Sequence, residues 1–172
     1  MADLYFYSID KGYVDYLRKH DSKVPNANYH EIGAHEKLYC GVVILIGTKT
    51  YFAPLSHQIS NPQSSTIIKH RNGEKFASLR LKYMIPVIDN NILRIKKIEE
   101  ENDPKYQALL SEELTYCRQH KEEIIKKAKT VYNNTVNKKD DFETFCCDFK
   151  ILEKAAENYK QGQSVWFEQR KP

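Results

Sequence analysis

Ser56 and His57 directly follow Ala53-Pro54-Leu55, at a point where a strand-like run gives way to a polar loop. Three more residues could join them: Lys37, just ahead of a long apolar run, Tyr13, near the start of an amphipathic segment, and Tyr29, in a polar loop. Together they suit phosphoryl transfer on RNA. Such a reaction needs a base for the 2′-OH proton, an acid for the leaving 5′-oxygen, and cationic or hydrogen-bonding groups for the charged phosphorane. Imidazole can fill either proton role because its ordinary pKa of about 6.5 lies near cellular pH. Lysine supplies charge, and tyrosine can stack a base or donate a hydrogen bond. Singly, each residue also has a plainer role: Tyr13 as core, Tyr29 as a pin for its loop, Lys37 as a strand-end charge, Ser56-His57 as turn residues. Residue patterns alone therefore stop at an α+β domain with a candidate nucleic-acid surface.

The elements that must position these residues are legible in outline. Leu4-Tyr5-Phe6-Tyr7-Ser8-Ile9 is short, aromatic and β-branched, which predicts a strand ending at Asp10. Asp10 can cap a helix in which Tyr13, Val14, Tyr16 and Leu17 recur at helical spacing. Residues 21 to 36 form a long loop containing Lys23-Val24-Pro25-Asn26, and the run 38 to 46 is a buried strand turning at Gly47-Thr48 into a partner at 50 to 55. Arg71-Asn72-Gly73-Glu74 predicts a second hairpin, with strands near 65 to 70 and 75 to 82, and a last short strand follows at 83 to 88. Helices are expected at 91 to 100, from Pro104 to about Asn134, and from about Asp141 to Tyr159, Asp103-Pro104 supplying a cap and a first-turn proline. Residues 1 to 160 then make one domain, and 161 to 172 a loose tail.

The 172 residues suffice for one sizeable core, and 41% hydrophobic with 29% charged residues excludes both a disordered tail and a membrane protein. No apolar stretch approaches the roughly 20 residues of a spanning helix, and Met1-Ala-Asp-Leu lacks the layout of a signal peptide, so a cytoplasmic location is expected. The net charge of +4 lies wholly in residues 66 to 83, where Lys69, Arg71, Lys75, Arg80 and Lys82 face only Glu74. That segment is a candidate contact for a polyanion. Cys40, Cys117, Cys146 and Cys147 show no C-x-x-C spacing, and the six histidines form no metal motif, so buried reduced thiols, no metal and no cofactor are expected.

Several ordered segments carry a resemblance: Phe6-Tyr7, Lys11-Gly12-Tyr13 and Tyr16-Leu17; Asp21-Ser22-Lys23-Val24-Pro25-Asn26; Lys37 before the Gly41-containing strand; Tyr51-Phe52-Ala53-Pro54-Leu55-Ser56; Leu81-Lys82-Tyr83-Met84-Ile85-Pro86-Val87; and Pro104-Lys105-Tyr106. With a weaker echo from Cys147 to Glu153, they span about residues 5 to 159. In this order they resemble the ToxN/AbiQ toxins of type III toxin–antitoxin systems, a family of bacterial endoribonucleases.

The resemblance implies a strongly twisted, antiparallel, barrel-like sheet akin to the MazF/Kid toxins, with helices around it and a helix-rich C-terminal half. It implies metal-independent, sequence-selective cleavage of single-stranded RNA to 2′,3′-cyclic phosphate and 5′-hydroxyl ends. It further implies inhibition by an RNA antitoxin of pseudoknot repeats, RNA-linked protein oligomers, no membrane partner, and a role in phage defence by abortive infection. The family's hydroxylated residue after Ala-Pro-Leu falls on Ser56, its helix-start tyrosine on Tyr13, its loop tyrosine on Tyr29 and its lysine before the first long strand on Lys37. One departure is evident. The family pattern continues Ala-Pro-Leu-Thr-Ser with a lysine two residues on, whereas here His57 follows Ser56 and Ile59 occupies the lysine position. The expectation is that His57 and Lys37 share proton transfer and charge stabilisation, with either as acid or base, that Ser56 bonds the scissile phosphate, and that Ser60 is a substitute if the loop shifts register. Lys69, Arg71, Lys75, Arg80, Lys82, Lys23 and Asn26 are the expected RNA contacts. A non-catalytic RNA-binding regulatory module and a protein-interaction domain are the competing readings.

Overall fold

Asp10 both ends the first strand and starts the first helix. Its Oδ1 accepts a hydrogen bond from the Tyr13 amide at 3.1 Å, which satisfies one of the helix's otherwise unpaired N–H groups. The computed structural model of the chain describes residues 3–26, 36–59 and 61–169. Strand β1 (Tyr5–Ile9) and helix α1 (Lys11–His20) lead to β2 (Tyr39–Ile46) and β3 (Lys49–Ser56), then to the hairpin β4 (Thr66–Lys69) and β5 (Lys75–Leu79), and to β6 (Ile85–Val87) and β7 (Leu93–Ile95). Four helices follow: α2 (Pro104–Gln119), α3 (Lys121–Val136), the short α4 (Phe142–Phe145) and α5 (Phe149–Gln169). Both hairpin turns depend on a left-handed glycine, Gly47 at φ 60° and Gly73 at φ 86°.

The seven strands form one antiparallel sheet in the order β4-β5-β3-β2-β1-β7, with β6 also on β3. The two ends, β4 and β7, do not pair with each other, so the sheet is open. The side of β3 away from β2 is shared: Thr50, Tyr51 and Phe52 pair with Val87, Pro86 and Ile85 of β6, while Leu55 and Ser56 pair with Leu79 and Ser78 of β5. Pro54 lies where the partner changes. It has no N–H to donate, and its carbonyl accepts from the Arg80 amide at 2.9 Å. The split lets the end of β3 leave β6 for β5, so that Ser56 is flanked by β5.

Helix α3 packs on β2, α5 on β6 and on α1, and α2 on β4. The core between them includes an aromatic cluster of Tyr51, Tyr132 and Phe149, both tyrosine hydroxyls donating to Glu153 Oε1 at 2.8 and 2.6 Å. Burial raises the pKa of the Glu153 carboxyl, but these hydrogen bonds and Lys150 outweigh it and hold the group below the usual range. All four cysteines are free and buried.

Three expectations are corrected. The segment 91–100 is not helical: Asn90–Ile92 and Ile98–Glu100 are single 3₁₀ turns, and between them β7 pairs with β1 through Ile9↔Leu93 and Tyr7↔Ile95. The long pattern from Pro104 breaks at His120 into two helices. The chain expected to be a loose tail from 161 remains helical as far as Gln169. Among the described residues, no helix is long and apolar enough to cross a membrane.

Candidate active site

Ser56 is the last residue of β3 and stands opposite Ser78 of β5. On the other side, Tyr39 pairs with Pro54 and the Leu55 amide donates to the Leu38 carbonyl at 2.9 Å. Continuing that register one step puts Lys37 opposite Ser56. Directly opposed residues share a face of the sheet, so Lys37, Ser56 and Ser78 stand in one row across three strands. All three are buried. Ser56 Oγ accepts from the Gln58 amide at 3.2 Å, and Ser78 Oγ donates to the Gln58 carbonyl at 2.6 Å. Arg80 donates to Gln58 Oε1 at 3.0 Å, so the loop after Ser56 is fastened to β5 and to the residue that follows it. This fastening fixes where His57 begins.

The His57 side chain is half exposed, with its Nε2 held 3.1 Å from Oε1 of Glu113 on α2. The contact is an ion pair between imidazole and carboxylate. Glu113 is fully buried, and its carboxylate has no well-aligned hydrogen bond among the described residues. The Tyr106 ring meets the imidazole edge-on at 6.4 Å. The bond to Glu113 raises the His57 pKa, while partial burial and the Lys37 charge pull it down, leaving a net shift upward. Burial pushes the Glu113 carboxyl upward, and His57 draws it partly back. That Lys37 is felt at His57 agrees with the register: serine, imidazole and ammonium share one end of the sheet.

Glu113 is absent from the sequence-level candidates, as are Ser78, Gln58 and Tyr106. A signal for Glu113 existed. Tyr106, Leu110, Glu113 and Cys117 recur at helical spacing on the buried stripe of α2, so a carboxylate occupies a position where an apolar residue is expected.

The remaining candidates separate. Tyr13 belongs to the core: its hydroxyl donates to the Pro86 carbonyl, its ring packs against Tyr159, and burial pushes its pKa far above the ordinary tyrosine range. Helix α1, which carries it, packs on α5. Lys23 is also occupied, its Nζ donating at 3.0 Å to the carbonyls of both Glu143 and Cys146 at the end of α4. Asn26 is exposed. Tyr29 and Ser60 lie outside the described residues. Of the basic segment, Arg80 reaches the Ser56 loop, and Lys82 lies 4.8 Å from the centre of the Tyr83 ring. Lys69 and Arg71 border a cleft with His70, Glu112, Tyr116 and His120, where the imidazole of His70 stacks on Phe76 and Tyr116 stacks on His120. Lys75 is exposed at the start of β5. Among the described residues, no group of three or more His, Cys, Asp or Glu is placed to hold a metal ion.

An α+β fold thus sets a histidine–carboxylate pair, a buried lysine and a serine at one end of an antiparallel sheet, groups able to exchange protons. The chain belongs to the ToxN family, the toxins of type III toxin–antitoxin systems, whose model matches residues 5–157. It is 28% identical over 166 residues to Endoribonuclease ToxN of Bacillus thuringiensis subsp. kurstaki, covering 91% of this chain and 84% of that protein. It is also 28% identical over 172 residues to Endoribonuclease AbiQ of Lactococcus lactis subsp. lactis, covering 92% and 90%. A solved structure from a bacterial type III system, in which a non-coding RNA pseudoknot selectively inhibits the toxin, superposes with a TM-score of 0.83 at 28% identity, over 92% of this chain and 99% of that one.

Proposed function

We propose that this chain is an endoribonuclease toxin that cleaves single-stranded RNA, with residues 1–160 as its catalytic domain. The observation that carries the reading is the meeting of His57, Lys37 and Ser56 at one end of the sheet, in a chain of the ToxN family. The 2′-oxygen attacks the scissile phosphorus while its proton passes to a base. The bond to the 5′-oxygen breaks, and that oxygen takes a proton from an acid, leaving a 2′,3′-cyclic phosphate and a 5′-hydroxyl. His57 and Lys37 divide the proton transfer and charge stabilisation, and the Ser56 hydroxyl bonds the phosphate. One side chain takes up the 2′-OH proton and another supplies the proton to the 5′-oxygen, so the reaction is written without a metal.

Purified protein incubated with RNA in EDTA should produce fragments with cyclic-phosphate ends. Bound but intact RNA would favour the alternative, a non-catalytic regulatory module.

The relatives' descriptions support an inhibitor as well, a pseudoknot RNA antitoxin in a system directed against phage; such an RNA would link protomers into an oligomer. The basic hairpin would be one wall of its groove. Replacing Lys69, Arg71 and Lys75 together with glutamine should lower the slope of log affinity against log salt by up to about 2, at about 0.7 per phosphate contact on single strands. An unchanged slope would leave the hairpin as a merely solvated edge. The finer fold reading, a barrel-like sheet akin to the MazF/Kid toxins, draws support from β3 changing partners near Pro54, from β6 to β5.

A further inference from the structure

We infer that Glu113 is the positioning residue for His57: its buried carboxylate holds Nε2 and so leaves Nδ1 as the nitrogen that exchanges a proton with RNA. The inference rests on the endoribonuclease reading and deepens it. Glu113 projects from the buried stripe of α2 to the one exposed imidazole in the site, at 3.1 Å, and has no other well-placed partner among the described residues. A carboxylate removed from water needs a charged or hydrogen-bonded partner, and here that partner is His57. The pairing has a directional consequence. With Nε2–H turned to the carboxylate, the neutral ring presents the Nδ1 lone pair as a base, and the charged ring presents Nδ1–H as an acid. Glu113 therefore selects the working nitrogen whichever role His57 takes. It also accounts for a histidine functioning where the family pattern has a serine, because the carboxylate arrives from α2 rather than from the Ser56 loop.

The other groups facing the pair can be named. Lys37 approaches from the start of β2 and opposes the charging of His57. On α2 itself, Glu112 raises the Glu113 pKa, the Tyr106 ring borders the imidazole, and the free thiol of Cys117, beside that of Cys40 on β2, lies one turn on. Glu113 is the ion-pair partner of Nε2.

The test is Glu113→Gln, which keeps the shape and removes the charge, with Glu113→Asp as the conservative partner. The His57 ring-proton resonance, identified by its loss in His57→Gln, is followed by NMR across pH, together with the pH profile of RNA cleavage. In wild type the His57 midpoint should lie above about 6.5, the ordinary imidazole value. In Glu113→Gln it should fall, the His57-dependent limb of the cleavage profile should move to lower pH with it, and Glu113→Asp should restore part of both shifts. A melting curve checks that each variant is folded. If folded Glu113→Gln shows the wild-type midpoint and limb, the positioning role is wrong. If the midpoint moves but the wild-type protein cleaves no RNA, the pair stands and the endoribonuclease reading falls.

Discussion

Replacing His57 with alanine is expected to slow RNA cleavage by about 100- to 10,000-fold, the usual contribution of one positioned acid or base. The reasons are chemical and local. Among the described residues, His57 is the imidazole brought to the row formed by Lys37, Ser56 and Ser78, and its ring is half exposed, so RNA can reach it. Glu113 shifts its pKa upward against the pull of burial and of Lys37, favouring the charged ring. Single-turnover cleavage measures the loss, while binding of an antitoxin RNA should change little because the basic hairpin is untouched. Ser56→Ala should cost less, about five- to tenfold, the worth of one hydrogen bond. Part of that loss would come from the Gln58 amide, which then has no Oγ to donate to. Full cleavage and toxicity in both variants would show that the chemistry resides elsewhere.

The local half of this site was legible in the sequence, and the long-range half was not. The end of β3 could be placed because apolar alternation, Gly47 and Pro54 all bear on it, and Asp10 and Asp103 marked their helix starts because capping is a short-range effect. The segment 91–100 misled for the opposite reason. Leu93, Arg94 and Ile95 form a strand only because β1 offers a free edge, and tertiary pairing of that kind overrides local propensity. The break at His120 has neither proline nor glycine to announce it; the turn is made by an ordinary backbone at φ −104°, ψ 20°. Tyr13 carried a family motif, yet its hydroxyl is committed to the Pro86 carbonyl, a contact 73 residues away in the chain. Glu113 combined both difficulties. Its place on the buried stripe of α2 was visible in the spacing, but the partner that makes sense of a carboxylate there lies 56 residues earlier, on a loop whose path only the fold defines.

The fold itself should be most sensitive at Gly41. This residue opposes Tyr5 of β1 and Phe52 of β3, and the β2–β3 register shifts between Gly41 and Ile44. The Tyr7 and Phe52 rings meet edge to face over it, 5.3 Å apart at 89°. A Cβ at Gly41 would lie 2.3 and 2.6 Å from two carbons of the Phe52 ring and 2.7 Å from the Tyr7 ring. None of these distances is tolerable, and neither ring can withdraw alone because each is packed on the other. Gly41→Ala should therefore force β1, β2 and β3 apart locally and destabilise the protein by about 1–3 kcal/mol or more, as overpacking does. In a chain of this size that lowers the melting temperature by roughly 2–4 °C for each kcal/mol. The strain also reaches the chemistry. Phe52 lies four residues before Ser56 on the same strand, so cleavage by the folded fraction should fall too, without any change at His57, Lys37 or Glu113. Phe52→Leu in the Gly41→Ala background removes the clashing ring and should recover part of the melting temperature. If Gly41→Ala melts with the wild type, the Tyr7–Phe52 pair does not close over β2 in solution, and the register that sets Ser56 opposite Lys37 must be held by other contacts.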